Sequence, residues 1–366
     1  MNNKLIIACA GSGKTTYLIN DALSRNKSKR ILITSFTDEN CDEIKRKFAG
    51  INGCVPSNID ILPWFTFVIK HLIKPYQLDI IDNYIRGVSM VNNASASYIS
   101  QDKKECYLDA KNKVYSDKIA LLAYRTINEK KDNVISRLKC IYSYLYIDEF
   151  QDFAGYDLDI IKLIMSENMP VLLVGDPRQR TYATHFSKRN AKYLDNKEGY
   201  IVKECKGLCS IDNETLNNSY RCSEAVITFA SKIFPEYPLS HSHKIPNETD
   251  NIFLVETKEI NSFIKKEKDV VQLRLNSRTK IENLKTKIIT FGKSKGSTYE
   301  NVLIYPTKDI KDAILNNDFS YINAELTKSK CYVALTRSRH KVGIVVNTGD
   351  IKKNKNKDIN VWTSAD

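Results

Sequence analysis

Short apolar runs separated by polar stretches dominate the pattern of this chain. Four of them end in polar residues or glycine and are mostly followed by apolar residues at helical spacing: 5–8, 31–35, 144–147 and 171–174. Three more lie nearer the C-terminus, with a helical pattern around 330–339: 287–291, 302–305 and 342–347. Buried parallel strands have this pattern. The sequence therefore predicts two α/β domains, each with a parallel sheet.

Length and local composition suggest where the domains divide. A chain of 366 residues exceeds what one hydrophobic core usually organises. The stretch 236–250 mixes proline, serine, histidine and asparagine, which is typical of a connection. We expect a first domain at 1–235 with a helical insertion at about 75–137, and a second at 236–349. The lysine-rich residues 350–366 are expected to form a disordered basic tail.

The charge balance leaves two interpretations open. A formal net charge of +13 favours a polyanionic partner, because Lys and Arg release counterions from each phosphate that they neutralise. A biased composition with a solvated basic surface would give the same charge, and charge alone does not separate the two. Nucleic acid is the first candidate partner.

The nine cysteines and the hydropathy pattern bear on the cellular compartment. Only Cys205 and Cys209 are close in sequence, and no second Cys or His pair follows at zinc-like spacing. Reduced thiols and no structural metal are expected. Because no apolar run approaches transmembrane length, we expect a cytoplasmic protein without a membrane partner.

A glycine-rich loop follows the first apolar run. Residues 8–15 read Ala-Cys-Ala-Gly-Ser-Gly-Lys-Thr, the pattern of a loop whose backbone N–H groups hold phosphates. Lys14 would reach the outer phosphates and the Thr15 hydroxyl would bind Mg²⁺. An ordinary turn would not explain the Lys-Thr pair. The sequence predicts ATP and Mg²⁺ as cofactors, with these nucleotide-binding residues: Ala10, Gly11, Ser12, Gly13, Lys14, Thr15 and Thr16.

Two adjacent carboxylates end the apolar run 144–147. Asp148 and Glu149 would stand at the exposed end of a buried strand. Such a pair is often solvated surface, but after a phosphate-binding loop it becomes a strong catalytic candidate. Asp148 is expected to bind Mg²⁺, directly or through water, and Glu149 to orient or deprotonate the attacking water.

The segment around these carboxylates resembles a motif of a known family. Asp148-Glu149-Phe150-Gln151-Asp152 is similar to the second motif of the UvrD/Rep-like DNA helicases of superfamily 1. Six further segments resemble motifs Ia, Ib, III, IV, V and VI of that family in the same order: 34–37, 64–67, 175–182, 218–221, 293–300 and 332–337. Several are weak individually, but the series is hard to obtain by chance.

The resemblance implies a fold and a set of roles. It implies two RecA-like domains: 1A, with the motifs up to IV and a 1B-like insertion, and 2A, with motifs V and VI. The nucleotide would lie in the cleft between them. Catalysis would depend on Lys14, Asp148 and Glu149 together with Gln179, Arg221 and Arg337; Tyr220 would stack on adenine and Glu300 would contact the ribose. The resemblance further implies these DNA-binding residues: Phe36, Thr37, Trp64, Tyr182, His185 and Lys295.

The function implied is an ATP-dependent translocase or helicase on single-stranded DNA or tailed duplex, with 3′-to-5′ polarity. Residues 222–289 leave little room for the family's 2B insertion, so we expect feeble unwinding by the chain alone and a partner such as a nuclease. A nucleic-acid sensor that hydrolyses ATP to license an effector is the alternative. A P-loop kinase is disfavoured because it would leave Gln179 and Arg337 unexplained. DNA repair and defence against phage both remain open as pathways.

Overall fold

The computed structural model describes residues 3–181, 188–247, 249–281 and 286–363. The chain packs into two compact units, each assembled from separate stretches of sequence. Unit 1 comprises Met1–Ile6, Lys14–Gly175 and Ala183–Asp212. Unit 2 comprises Ile7–Gly13, Asp176–Tyr182 and Asn213–Asp366. The predicted ranges 1–235 and 236–349 stay a prediction, and the compact units have different bounds.

Most of a six-stranded sheet belongs to unit 1, as counted over the described residues. The strands that come first and last in the chain also contribute residues to unit 2. The strands are β1 (Asn3–Ala8), β2 (Ile31–Ser35), β3 (Ile59–Pro63), β6 (Tyr144–Ile147), β7 (Val171–Gly175) and β8 (Cys209–Leu216). Their order is β3-β2-β6-β7-β1-β8. Strand β2 pairs in parallel with β3 and β6, and β6 with β7. All five residues of β2 are buried, as expected of a strand covered on both faces.

Helices flank these strands, and helix α2 has clear end signals. The Thr37 side chain accepts a hydrogen bond from Asn40 N at its start, and Gly53 ends it in the left-handed conformation. The helices of unit 1 are α1 (Lys14–Ser24), α2 (Asp38–Asn52), α3 (Trp64–Phe67), α4 (Gln77–Ile81), α5 (Ile119–Glu129), α6 (Lys131–Ile141), α7 (Tyr156–Ser166) and α8 (Lys197–Glu204). A π-helix, Val68–Ile73, follows α3.

The segment 75–137, predicted to be a helical insertion, is helical only in part. Helices α4 and α5 and the start of α6 lie within it. Between them, β4 (Gly87–Ser89) and β5 (Lys113–Tyr115) form a two-stranded parallel sheet. The alternating pattern of these short strands is too brief to stand out in a charged sequence.

Unit 2 is built on a second six-stranded sheet. Its strands are β11 (Ile252–Glu256), β12 (Val270–Arg274), β13 (Ile288–Thr290), β14 (Asn301–Tyr305), β15 (Val342–Val346) and β16 (Asn360–Val361), in the order β13-β12-β14-β15-β11-β16. All five neighbouring pairs are parallel. A short parallel pair precedes it, β9 (Asn218–Ser219) and β10 (His241–Ser242). The prediction of two α/β domains on parallel sheets is confirmed.

Five helices cover this second sheet in the described part of the chain: α9 (Glu224–Ser231), α10 (Ile260–Lys266), α11 (Lys308–Asn316), α12 (Glu325–Leu335) and α13 (Thr348–Lys352). The main core of unit 2 packs side chains of α9, α11 and α12 against the sheet. Ala10, from the loop after β1, belongs to the same core. This core therefore includes a part of the glycine-rich loop.

The C-terminal residues correct one expectation. Residues 350–366 were predicted to be a disordered tail, but within the described residues α13 begins with an Asn347–Asp350 capping box and β16 pairs with β11. Trp362 is 1% exposed and packs its ring edge-on against Phe263 at 5.3 Å. The strand was not recognised in the sequence because the lysines just before it give this segment a strongly charged composition.

Two observations bear on the remaining expectations. All nine cysteines lie in the described residues, and none of them forms a disulfide. In the residues that the structure describes, no helix is both long and apolar enough to span a bilayer, and no cluster of His, Cys, Asp or Glu could hold a metal ion by itself.

Candidate nucleotide site

The glycine-rich loop connects β1 to α1. Gly11 has a φ of +74°, and a Cβ there would lie 2.6 Å from Arg221 Cβ and 2.8 Å from Ser219 Oγ. Both the conformation and the close approach require glycine. The backbone N–H of Tyr220 donates to Gly11 O at 2.9 Å. Motif IV is therefore held directly against this part of the loop within unit 2.

Ser12 suggests what the loop holds. Its side chain is 2% exposed, and its hydroxyl has no hydrogen-bond partner among the described residues. A buried hydroxyl without a partner is costly, and a phosphate oxygen would satisfy it. The loop thus fits the nucleotide that its sequence predicts.

Lys14, Thr15 and Asp148 form a polar group in unit 1. Lys14 and Thr15 are the first two residues of α1, and Asp148 directly follows β6. The Thr15 hydroxyl donates to Asp148 Oδ2 at 3.0 Å, and the Asp148 side chain is almost fully buried. Hydroxyl and carboxylate oxygens are the ligands that Mg²⁺ prefers. These residues therefore fit the predicted metal, with Thr15 and Asp148 as the groups that would hold it.

Glu149 lies next to this pair in a strained backbone conformation. Its φ and ψ are 56° and 43°, the left-handed region that a glutamate rarely occupies. Its carboxylate accepts a hydrogen bond from Gln151 Nε2. Burial and the neighbouring Glu149 carboxylate raise the pKa of Asp148, whereas Lys14 and the Thr15 hydroxyl lower it. The two adjacent carboxylates thus concentrate negative charge next to Lys14 and Thr15.

Gln179 and Arg337 meet within unit 2. Arg337, which follows α12, is 1% exposed, and its Nη2 donates to Gln179 Oε1 at 2.8 Å. Its other donors reach Val333 O at 3.2 Å and Ser297 O at 3.1 Å. The structure therefore brings together two predicted catalytic residues that are 158 positions apart in sequence.

Tyr220 and Arg221 of motif IV reach the surface of unit 2. Tyr220 is 66% exposed and its ring stacks on His243 at 4.6 Å. Arg221 donates from Nη1 to Thr336 O at 3.2 Å. An exposed ring attached by its backbone to the phosphate loop is suited to stack on a base.

Glu300, the predicted ribose contact, is paired within unit 2. Its Oε2 lies 3.2 Å from His340 Nε2, and its Oε1 lies 3.6 Å from Arg339 Nε. These partners lie two and three positions after Arg337, just beyond motif VI. The structure thus links the end of motif V to the residues that follow motif VI.

The predicted DNA contacts differ in exposure. Phe36 is partly buried, with Phe65 and Phe153 against its ring at 5.4 and 5.8 Å. Thr37 is exposed at the start of α2, and Lys295 is partly exposed. Tyr182 and His185 lie outside the described residues.

Trp64 is a correction, because its indole is fully buried. The Nε1–H group donates to Asp157 Oδ1 at 2.7 Å, and the ring packs against Phe67 and Phe153. A side chain enclosed in this way cannot stack on DNA. It belongs to the core beneath α3.

Two residues of motif III had no role in the sequence prediction. Asp176 is 0% and Arg178 2% exposed, and Arg178 Nε donates to Asp176 Oδ1 at 2.8 Å. The sequence signal that could have indicated a role was the occurrence of these two oppositely charged residues just after the apolar run 171–174. The aromatic partners of Arg178 could not be found that way, because they are distant in sequence.

Comparisons with known proteins identify the family of this chain. Residues 97–346 match the family model of the viral superfamily 1 RNA helicase core domain. Residues 1–185 match the model of an AAA domain. The chain belongs to the superfamily 1 helicase family. Its predicted resemblance to UvrD/Rep-like members is confirmed.

Two DNA helicases are among the relatives of this superfamily 1 member. The chain is 21% identical over 310 residues to the "Probable DNA helicase II homolog" of Mycoplasma genitalium, covering 68% of this chain and 43% of the relative. It is 22% identical over 239 residues to the "ATP-dependent DNA helicase Rep" of Escherichia coli, covering 60% and 34%. The chain thus spans less than half the length of either relative.

Solved structures of arterivirus nonstructural protein 10, a helicase, also align with this superfamily 1 member. One covers 97% of this chain and 62% of the viral protein, with 14% identity and a TM-score of 0.48. A complex of the same viral protein with DNA covers 96% and 63%, with 15% identity and a TM-score of 0.48.

Proposed function

We propose that the chain hydrolyses ATP and uses the energy to move along single-stranded DNA. The observation that carries the ATPase half is the hydrogen bond between the Thr15 hydroxyl and the buried Asp148 carboxylate, one residue from Lys14. It is supported by the glycine at Gly11 and the unsatisfied hydroxyl of Ser12. Family membership supports the coupling to nucleic acid.

Each residue has a chemical task in this proposal. Backbone N–H groups of the loop bind phosphate oxygens, and Lys14 places positive charge on the outer phosphates. Glu149 accepts a proton from the attacking water, and Gln151 orients that carboxylate through its hydrogen bond. Mg²⁺, when bound, neutralises charge on the phosphate oxygens.

The predicted residues of motifs III to VI complete the proposed chemistry. Gln179 senses the γ-phosphate, and Arg221 and Arg337 neutralise the charge that develops as it leaves, an effect worth about 10³–10⁵ in rate for arginines so placed. Tyr220 stacks on adenine and Glu300 binds the ribose. Comparing ATP with inorganic tripolyphosphate as ligands measures the contribution of the last two residues, because the tripolyphosphate has neither base nor sugar.

An ATPase assay with single-stranded DNA, duplex DNA and RNA as competing activators tests the proposal. We expect stimulation by single-stranded DNA. Lys14→Ala, Glu149→Gln and Arg337→Ala are each expected to abolish turnover, with Glu149→Gln still binding ATP. Lys258→Ala, at a surface lysine that is 69% exposed, is the control and should change nothing. Near-normal turnover by Glu149→Gln would show that the catalytic carboxylate is a different one.

The nucleic-acid half is supported by the positive charge of the chain and by the names of its relatives. The net charge of +13 favours a phosphate backbone, and both curated relatives are named DNA helicases. The family model is named for RNA helicases, so RNA belongs in the same assay. Phe36, Thr37 and Lys295 are the described candidates for DNA contact.

The 3′-to-5′ polarity can be measured by displacement of streptavidin from biotinylated oligonucleotides. A 3′-to-5′ translocase removes streptavidin from the 5′ end and leaves it at the 3′ end. Lys14→Ala should remove it from neither. DNA-stimulated hydrolysis without displacement from either end would instead favour the alternative, a nucleic-acid sensor that licenses an effector.

We further propose that the chain works in the cytoplasm with a protein partner such as a nuclease. The support is the short segment between motifs IV and V, which leaves little room for a 2B insertion. Unwinding of a tailed duplex by the single chain should be feeble. Processive unwinding without a partner would contradict this part of the proposal.

A further inference from the structure

Asp176 is bonded through both of its side-chain oxygens within unit 2. Oδ1 accepts hydrogen bonds from Arg178 N at 3.2 Å and Arg178 Nε at 2.8 Å. Oδ2 accepts from Gln179 Nε2 at 2.7 Å. The carboxylate is 0% exposed, so no water competes for these bonds. One buried group therefore sets the orientation of two neighbouring side chains.

Arg178 extends these contacts to the phosphate loop. Its guanidinium lies over the rings of Tyr237 and Tyr332, 5.4 and 5.2 Å from their centroids. Its Nη2 donates to Ala8 O at 2.9 Å, and Nη1 reaches Ser240 Oγ at 3.4 Å. Ala8 is the last residue of β1 and the first of the loop sequence. The planar fork of an arginine can make these contacts together, and an ammonium cannot.

Tyr332 makes a second contact to the same loop. Its hydroxyl accepts a hydrogen bond from Ala10 N at 3.2 Å, and its ring is fully buried. Tyr332 is on α12, the helix that Arg337 follows. The loop backbone is thus held at Ala8 by Arg178 and at Ala10 by Tyr332.

Gln179 closes the connection to the predicted catalytic arginine. Its Nε2 binds Asp176 and its Oε1 accepts from Arg337 Nη2, so the amide is used at both ends. A continuous series of hydrogen bonds runs from Ala8 O through Arg178, Asp176 and Gln179 to Arg337. Breaking any member would leave buried polar groups unpaired, which is costly.

We infer that Asp176 and Arg178 are positioning residues that connect the backbone of the phosphate loop to Arg337 through Gln179. A displacement of the loop by a bound nucleotide is transmitted along this series to the arginine. The inference rests on the proposed ATPase function and extends it to two residues with no other assigned role. Arg337 then acts on the γ-phosphate only when Arg178 holds the loop.

The test is a double-mutant cycle that measures how strongly the chain prefers a triphosphate over a diphosphate. Fluorescent ADP and a fluorescent non-hydrolysable ATP analogue are titrated into the full chain, its Arg178→Gln and Arg337→Ala variants, and the double variant. The preference is the dissociation constant for ADP divided by that for the ATP analogue. We expect this ratio to fall about tenfold in each single variant, within the range usual for coupled sites. The double variant should lose no more than Arg337→Ala alone, and ADP binding should stay unchanged.

A matched arginine provides the control. Arg189 in unit 1 also pairs with an aspartate, with its Nε 2.7 Å from Asp159 Oδ2, and lies over the rings of Tyr124 and Tyr156. Arg189→Gln removes the same chemistry outside the hydrogen-bonded series, so it should keep the preference. If Arg178→Gln does not fold, as judged by thermal melting, Asp176→Asn and Arg178→Lys replace it under the same criteria.

The outcomes separate the inference from the proposed function. Equal loss of ADP and triphosphate binding in Arg178→Gln would mean that Arg178 only maintains the loop, and the inference fails. Additive losses in the double variant would also overturn it, because Arg178 would then act independently of Arg337. If the unaltered chain binds neither nucleotide, the proposed function itself fails.

Discussion

The strained backbone of Glu149 predicts that activity and stability oppose each other at this position. The left-handed conformation costs a residue with a side chain about 1–2 kcal/mol. Glycine adopts it without strain. Its greater freedom in the unfolded chain, however, lowers the stability of the folded protein by about 0.4–1 kcal/mol relative to alanine. The midpoints of these two ranges differ by about 0.8 kcal/mol. Glu149→Gly should therefore be more stable than Glu149→Ala by roughly that amount.

Both variants lack the proposed general base, so both should lose a factor of about 10²–10⁴ in ATP turnover. Their stability should differ: for a domain of 150–250 residues, 1 kcal/mol corresponds to about 2–4 °C in melting temperature. Thermal melting followed by circular dichroism, beside an ATPase assay, measures both quantities. The alanine variant is the reference because it also lacks the carboxylate.

Glu167 offers the matched position for this comparison. It also lies in unit 1, but its φ is −94°, where alanine is unstrained. There glycine should be less stable than alanine by about 0.5–1 kcal/mol. If the alanine variant at Glu149 is as stable as the glycine variant, the backbone at Glu149 is not strained. If the glycine variant is the more stable one at both Glu149 and Glu167, the difference is a general effect of glycine.

Three further outcomes are expected. Gly11→Ala should weaken ATP binding about tenfold or more, because the new Cβ meets Arg221 and the backbone is strained by about 1–3 kcal/mol; Gly207→Ala, with the same φ but open space, should bind ATP normally in the same titration. Trp362→Ala should lower the free energy of unfolding of unit 2 by about 3–5 kcal/mol, measured by urea, because the buried ring leaves a cavity. Burial lowers the pKa of His71 to about 4, so its folded form stays neutral while the unfolded form gains a proton below pH 6.5. Unit 1 should therefore lose about 3 kcal/mol between pH 6.5 and 4, a loss absent in His71→Phe.

Several strands were predicted from their apolar runs. Strands β2 and β6 match the predicted residues 31–35 and 144–147 without change. Strand β12 was not predicted, because Gln272 interrupts it. That glutamine is 0% exposed and bonds to Tyr305 and Thr286. The sequence does not distinguish a buried glutamine that is hydrogen-bonded to distant residues from an exposed one.

The same limit applies to the candidate site. The loop and the Asp148–Glu149 pair are contiguous in sequence, so residue type and spacing were enough to find them. Arg178 gains its role from Ala8, Tyr237 and Tyr332, which lie 170, 59 and 154 positions away by residue number. Trp64 shows the opposite error: a tryptophan near a motif suggested a ligand contact, but its hydrogen bond to Asp157 holds it in the core.

The interleaved connectivity of unit 2 restricts how the chain could exchange parts with relatives. Residues 7–13, 176–182 and 213–366 all belong to it, so no single crossover transfers it whole. A chimera joined after residue 212 would combine Arg178 from one parent with Tyr237 and Tyr332 from another. Homologous recombination would therefore produce active hybrids only between parents whose buried arginine and aromatic rings already match. During evolution, substitutions in one of the three stretches would have to be matched by substitutions in the others.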